Sequence, residues 1–176
     1  MPLAFMAALA LAMLSGRALA QDSANSPKAC LLSESISPQT PEGLRGLFAA
    51  GIIEGLNGIA AKRLFLFVAQ GSNPPLTVRE AYAYRSRESV AVALRLRSPA
   101  GATEWKAGQA MLRQMVTGAE LPRPQVWQAE AVGPGKFAWV VVEIAATEEQ
   151  AQGTYTLVLW ETAGTRPVTL EGVTFP

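Results

Sequence analysis

The sequence offers very few side chains of the types that usually perform catalysis. It has no histidine, and its only cysteine and its only aspartate are Cys30 and Asp22. The absence of histidine removes the usual general base, the Ser-His and Cys-His nucleophile pairs and the commonest zinc ligand. Calcium and magnesium sites usually draw on clustered aspartates, and no glycine-rich phosphate loop ends in Lys-Ser or Lys-Thr. We therefore expect neither a metal nor a cofactor.

Paired glutamates are the acid–base chemistry that the composition still allows, as in a glycoside hydrolase. The candidates in the C-terminal half are Glu130, Glu143, Glu148, Glu149 and Glu161. Acids on exposed strands and in first helical turns are normally solvated, whereas catalysis needs a positioned pair. We predict that the protein is not an enzyme, and a glutamate-based hydrolase of envelope glycans is the alternative.

Charged residues are unevenly distributed along a nearly neutral chain. Residues 79–113 carry seven basic and three acidic side chains, whereas residues 114–176 carry three basic and seven acidic ones. If Arg17 is removed with the N-terminal leader described below, 14 basic and 14 acidic residues remain. This balance argues against a nucleic-acid partner.

Arginine and tryptophan offer another kind of chemistry, because both are enriched in the hot spots of protein interfaces. In an immunoglobulin-like sheet the second strand would pair with the strand at 137–146. This pairing would bring Arg95 and Arg97 beside Glu143 and Trp139, and we expect Trp139 to be partly exposed. We predict that these four residues bind a protein partner or a second copy of the chain. Cross-strand ion pairs within the protein are the structural alternative for the same charges.

The strand at 137–146 is the element around which the rest is organised. Its alternation places one set of residues on one face, namely Ala138, Val140, Val142 and Ile144. The opposite face carries Phe137, Trp139, Val141 and Glu143. Because both faces are largely apolar, we expect a central strand.

The next strand begins with a motif that resembles the tyrosine corner of immunoglobulin-like sandwiches. Gly153, Tyr155 and Leu157 occupy the positions of this corner, in which the tyrosine bonds to the backbone a few residues upstream. Leu157 stands where an antibody domain carries its second cysteine. Thr147 and the acids that follow it predict a short helical turn before this strand.

Seven strands are predicted in the C-terminal part, at 76–85, 89–97, 109–116, 122–131, 137–146, 154–161 and 166–175. A further strand or connector is predicted at 64–69. In the second strand Val90, Val92, Leu94 and Leu96 should face inward, which leaves Arg95 and Arg97 outside. The remaining tryptophans, Trp105, Trp127 and Trp160, should pack in the core or at corners. This pattern predicts a mainly β protein with an immunoglobulin-like antiparallel β-sandwich over 76–176.

A glycine-rich helix is predicted ahead of the sandwich, within a helix-and-connector segment at 40–75. Thr40 and Pro41 supply an N-cap and a first-turn proline. One apolar stripe follows, formed by Leu44, Leu47, Phe48, Ile52 and Leu56. Four glycines weaken the helix by about 1 kcal/mol each relative to alanine, so it should persist only when packed on something. They are Gly43, Gly46, Gly51 and Gly55.

Residues 1–20 are predicted to be a secretory signal peptide, with cleavage after Ala20 at the small-residue site. Their apolar run is too short for a membrane span of about 20 residues. Residues 21–39 should be a mobile lead-in. Cys30 can form no intramolecular disulfide, so we expect a buried or idle thiol.

Several segments of the C-terminal part carry a family resemblance. They are PLTVREA (75–81), YRS (84–86), VWQ (126–128), VVVE (140–143), GTYTL (153–157), LWE (159–161), VTL (168–170) and VTFP (173–176). With these segments, residues 76–176 resemble a paralogous family of secreted myxobacterial proteins described only as a domain of unknown function. The resemblance implies an extracytoplasmic, β-rich domain and implies no reaction.

Together these observations predict an exported, periplasmic or extracellular protein without a membrane span after leader cleavage. We expect a non-catalytic binding or assembly module of the bacterial envelope, whose partner is another protein or a second copy. An accessory of an envelope signalling system is a further alternative.

Overall fold

The structure, a computed structural model, describes residues 41–53, 58–70, 76–162, 164 and 166–176. The predicted leader at 1–20, the lead-in at 21–39, Asp22 and Cys30 lie outside the described residues. The described elements are one helix, α1 (Gly43–Ala49), and the strands β1 (Ala60–Arg63), β2 (Phe67–Gln70), β3 (Thr77–Arg85), β4 (Ser89–Arg97), β5 (Ala107–Gln114), β6 (Gln125–Trp127), β7 (Phe137–Ala145), β8 (Tyr155–Glu161) and β9 (Val168–Val173).

The strands form two antiparallel sheets. The first sheet has the order β1-β3-β4-β7-β6, and the second has the order β2-β9-β8-β5. The predicted pairing of 89–97 with 137–146 is confirmed, because β4 and β7 run antiparallel with Val92 opposite Val142 and Arg95 opposite Trp139. The mainly β prediction is therefore confirmed.

The two sheets share one hydrophobic core. The inward residues of β4 and β7 meet leucines of the second sheet, among them Leu112 from β5 and Leu157 from β8. The predicted inward set of Val90, Val92, Leu94 and Leu96 is fully buried in this core. Trp105 is also buried there, and its indole N–H donates to the carbonyl of Arg166 at 3.2 Å.

A second apolar cluster lies on the outer face of the first sheet, where α1 packs. It contains Leu44 from α1, Ala91 and Ala93 from β4, and Val141 from β7. This packing explains why β4 and β7 are apolar on both faces, since each face is covered by a different layer.

Helix α1 is shorter than predicted, because the chain adopts a helix-ending motif at Gly51. The N–H of Gly51 donates to the carbonyl of Phe48 at 2.9 Å, and that of Ile52 donates to Leu47 at 3.0 Å. These two bonds form a Schellman motif, and Gly51 has the left-handed φ of 71° that it requires. The prediction that the apolar stripe of the helix includes Ile52 was therefore wrong, since Ile52 is 52% exposed, and Leu56 lies outside the described residues.

In two further segments the strand is shorter than the predicted range. The strand or connector predicted at 64–69 contains both: residues 64–66 connect β1 to β2, which lie in different sheets, and β2 begins at Phe67. The strand predicted at 122–131 shrinks to β6, which begins just after Pro122 and Pro124. Proline has no N–H to donate to a sheet, so it cannot take part fully in the ladder.

The turn between β7 and β8 has the predicted helical character. Thr147 and Gln150 exchange two hydrogen bonds between side chain and backbone, at 3.0 and 3.2 Å, in the manner of a capping box. The N–H of Ala151 donates to the carbonyl of Thr147 at 2.9 Å and closes one turn. Among the described residues, no helix is long and apolar enough to cross a membrane.

Candidate functional site

An open groove of about 530 Å³ lies on the outer face of the first sheet, beside α1. Residues of β3, β7 and the end of β6 line it, together with the C-terminal end of α1. Six of its lining residues are aromatic, namely Phe48, Tyr82, Tyr84, Trp127, Phe137 and Trp139. This groove is called the aromatic groove below.

Helix α1, which forms one wall of the aromatic groove, is held to the sheet by Glu143. The Glu143 carboxylate accepts the backbone N–H of Leu44 at 2.9 Å and that of Arg45 at 3.1 Å. It also accepts the Nε–H of Arg45 at 3.2 Å and the hydroxyl of Ser89 at 3.0 Å. Glu42 at the N-cap position makes no capping bond of its own. A strand residue therefore satisfies the first N–H groups of the helix, which otherwise lack partners.

Gly43 is the residue that makes this approach possible. Its φ of 70° lies in the left-handed region, and a Cβ at this position would come within 2.5 Å of the Oε1 atom of Glu143. A side chain here would collide with the carboxylate that caps the helix. The glycine that weakens the isolated helix is thus required for its docking.

Phe48 anchors the ring cluster from the helix side. Its ring meets those of Trp139, Tyr84 and Trp127 edge to face, at centroid distances of 5.1, 6.2 and 6.3 Å. Tyr82 lies 6.3 Å from Trp139 on the other side. These contacts hold the rings in defined orientations, so a ligand would meet a largely preformed surface.

The two charged residues that line the aromatic groove are acidic, whereas Arg95 and Arg97 lie at its edge over the ring of Phe137. Glu80 and Glu130 are among the lining residues, and no lysine or arginine is. Glu80 is paired with Arg95 at 2.6 Å. Within the described part of the chain, Glu130 takes part in no ion pair. One end of the groove therefore carries an uncompensated negative charge.

Three of the four predicted partner-binding residues lie at one edge of this groove. Trp139 is partly buried and lines it, with Arg95 on the neighbouring strand. The guanidinium groups of Arg95 and Arg97 lie over the ring of Phe137, at 5.0 and 5.4 Å from its centroid. Phe137 is 46% exposed, so it presents an aromatic surface that these arginines surround.

Glu143 lies on the predicted outer face of β7, but α1 covers it there, so it does not belong to the surface formed by the other three residues. The residue is only 9% exposed because α1 covers it, and its carboxylate is occupied by the four bonds to α1 and Ser89. Glu143 is a structural residue that positions a wall of the aromatic groove.

The sequence interpretation did not anticipate that Phe48, Tyr82, Trp127 and Phe137 come together. Phe137 and Trp139 share a face of β7 by alternation, which was a usable signal. Tyr82 and Tyr84 likewise share a face of β3. The contribution of Phe48 depends on where α1 docks, and no local pattern reports this.

The remaining glutamate candidates are dispersed. Glu148 pairs with Arg85 at 2.9 Å, and Glu149 is exposed in the turn before β8. Glu161, at the end of β8 in the second sheet, pairs with Arg166. The hydrogen bond from Arg166, aided by its charge, lowers the pKa of the Glu161 carboxyl. In the described part of the chain, no group of cysteine and acidic side chains could hold a metal ion.

The predicted corner residues form a structural unit at the start of β8. Tyr155 is buried, and its hydroxyl donates to the carbonyl of Gln150 and lies 3.2 Å from that of Gln152. Burial raises the pKa of the Tyr155 phenol, so the hydroxyl remains a donor. Leu157, two residues on, is fully buried in the core between the sheets.

Gly153 completes this unit, with a φ of 109° and a close approach to the side chain of Gln114, where a Cβ would lie 2.8 Å from the amide nitrogen. These contacts join the end of β5 to the turn before β8. The unit lies away from the aromatic groove and stabilises the fold.

A model of the family described as "Protein of unknown function (DUF2381)" matches residues 43–173, from the first residue of α1 to the last residue of β9. Searches of curated proteins and of solved structures gave no match.

Proposed function

We propose a function for this chain, which belongs to the family of proteins of unknown function DUF2381, from the geometry of its own surface. The protein is an exported, non-catalytic module of the bacterial envelope, and it binds a protein partner at the aromatic groove. The signal peptide predicted at residues 1–20 and the resemblance to secreted myxobacterial paralogues support the export.

The proposed scaffold is an immunoglobulin-like sandwich. The order β3-β4-β7-β6 corresponds to strands A, B, E and D of that fold, and β9-β8-β5 corresponds to G, F and C. Strands β1 and β2 extend one edge of each sheet. The hydroxyl of Tyr155, which bonds to the backbone upstream at the corner between β7 and β8, also supports this assignment.

The observation that carries the binding proposal is the aromatic lining of one open groove. Six rings contribute to it, of which Phe137 is exposed and Tyr84 is buried, and Arg95 and Arg97 lie over the Phe137 ring. Tryptophan, tyrosine and arginine are the residues enriched at interface hot spots, where large side chains bury area at low entropic cost.

The positions of the acids favour binding over hydrolysis. Glu80 and Glu130 are the two glutamates that line the aromatic groove, but β3 and β6 are three strand spacings apart in the first sheet. At about 4.8 Å per spacing, the axes of these two strands are about 14 Å apart, whereas the carboxyls of a glycosidase pair are roughly 5–9.5 Å apart. Glu130 lies three residues past the end of β6. Glu80 is also engaged by Arg95.

The binding proposal is tested by affinity capture from envelope extracts with the purified protein as bait. Phe137→Ala should abolish the capture of a specific partner and leave the melting temperature unchanged, because Phe137 is half-exposed and lies outside both apolar clusters. Trp139→Ala is a poorer choice, since Trp139 packs against Phe48 and Tyr82.

Phe65→Ala is the matched control, because Phe65 is 80% exposed and lies outside the aromatic groove. Capture that persists in Phe137→Ala, or is lost equally in both variants, would count against a partner at this groove. Export is tested separately by the intact mass of the secreted or periplasmic product, which should correspond to a chain that begins at Gln21.

A further inference from the structure

The lining of the aromatic groove combines π-faces with acids and lacks basic residues. Its two charged side chains are Glu80 and Glu130. Arg95 neutralises Glu80 at 2.6 Å, whereas Glu130 has no ion-pair partner among the residues that the structure describes. Glu130 follows Trp127 by three residues in the chain, and both line the groove, so the groove offers an indole ring and a carboxylate that is free of an ion pair with any described residue.

Resting on the function proposed above, we infer that the aromatic groove binds an arginine-bearing segment of the partner protein. A cation placed over the faces of Trp127 and Trp139 is attracted by the ring quadrupoles, and the Glu130 carboxylate adds charge complementarity. A planar guanidinium stacks on aromatic rings and donates two hydrogen bonds to one carboxylate. An anionic or strongly hydrated ligand would satisfy neither group.

The positions of the two acids also indicate where the cation binds. At the Glu80 end, Arg95 already supplies the positive charge, and its guanidinium lies 5.0 Å from the centre of the Phe137 ring. At the Glu80 end, the protein therefore places its own arginine, Arg95, over an aromatic ring and beside a glutamate. At the other end, Trp127 supplies a ring and Glu130 supplies a carboxylate, and the partner protein supplies the arginine.

The test uses the indole N–H signals of the purified, nitrogen-15-labelled protein in NMR titrations. The probe is a blocked Gly-Arg-Gly tripeptide, and the control probe is the same peptide with citrulline, which has the shape of arginine without its charge. Sodium chloride is added to equalise the ionic strength. The signals of Trp127 and Trp139 should shift with the arginine peptide, and those of Trp105 and Trp160 should not.

The arginine peptide should bind about fivefold more tightly than the citrulline peptide, because a partly exposed cation–π contact and the Glu130 carboxylate both favour the charged side chain. Glu130→Gln should lower this preference to about twofold, because the cation–π contact with the rings remains. The matched control is Glu149→Gln, the same change at an exposed acid beyond the opposite end of β7, and it should retain the preference.

Equal binding of both peptides would overturn the inference while leaving the groove as a binding site. No shift of Trp127 or Trp139 with either peptide would also overturn it, and the capture experiment with Phe137→Ala would then decide the proposed function independently. A third probe, phosphocholine, distinguishes a lipid headgroup. If it shifts the two indoles at lower concentration than the arginine peptide does, the groove recognises quaternary ammonium groups and the inference fails.

Discussion

Glu143→Gln should weaken the docking of helix α1 on the first sheet while leaving the two sheets folded. The Oε1 atom of Glu143 accepts Leu44 N–H and the Ser89 hydroxyl, and Oε2 accepts two N–H groups of Arg45. A carboxamide has one acceptor oxygen, and its NH2 group must face one of these donor pairs. The least costly orientation places NH2 toward Ser89, whose hydroxyl can turn to accept, and leaves Leu44 N–H without an acceptor.

The magnitude follows from these bonds. Hydrogen bonds to a charged group contribute about 1.5–3 kcal/mol each, and the bonds that persist lose their charge-assisted character. Part of this loss is offset because water reaches the helix end once α1 opens. We therefore expect the docking of α1 to weaken by about 2–3 kcal/mol, which corresponds to about a 30- to 150-fold increase in local opening.

Hydrogen exchange measured by mass spectrometry on a peptide that covers α1 is the suitable assay, because it reports local opening directly. Protection of this peptide should fall by the factor given above, while peptides from β4 and β8 keep theirs. Glu171→Gln, the same change at an exposed position of β9, should leave α1 protected. Unchanged α1 exchange in Glu143→Gln would refute the view that Glu143 holds the helix.

Three further predictions concern the scaffold. Tyr155→Phe should lower the free energy of unfolding by about 1–3 kcal/mol in urea melts, because the carbonyls of Gln150 and Gln152 lose their partly buried donor; an unchanged midpoint would mean that the hydroxyl is solvated. Gly43→Ala should lower the free energy of unfolding by about 1–3 kcal/mol because an alanine is strained at this left-handed φ, and by more because its Cβ would collide with Glu143. Gly118→Ala, at a φ of 72° with open space around it, isolates the backbone cost, so an equal loss in both variants would exclude the collision. The pKa of Glu161 is lowered in the folded protein, so its interaction with Arg166 should stabilise the fold fully at pH values above the ordinary pKa of a glutamate. This stabilisation should disappear as the pH falls through the pKa that Glu161 has in the folded protein. Melts from pH 7 to pH 2 should then show wild type and Glu161→Gln converging in acid, and a constant difference would contradict the assignment.

The strands could be predicted because their information is local. Side chains alternate with a period of two, so the positions of Val90 to Leu96 and of Val140 to Ile144 identify the inward faces without knowledge of the rest of the chain. The motif around Tyr155 is equally local, since the hydroxyl bonds to Gln150, five residues upstream.

The end of the helix and the candidate site were harder to predict from the sequence. The apolar stripe from Leu44 to Ile52 fits a longer helix, but a left-handed Gly51 ends it, and periodicity does not report the φ of a single residue. The arginines and Trp139 were identified on one face of the first sheet, whereas the covering of that face was not.

The sequence by itself determined the β-rich class, the inward faces of the strands and the lack of the usual catalytic groups, because these depend on residue type and short-range spacing. The tertiary structure decided which part of the outer face of the first sheet α1 covers and which part stays open as the aromatic groove. Leu44 N–H meets the carboxylate of Glu143 from 99 positions away along the chain. A contact of this kind depends on how separate elements dock. Alternation shows which face a side chain occupies, but only docking shows whether that face becomes a helix cap, as at Glu143, or an open aromatic groove, as at Trp139.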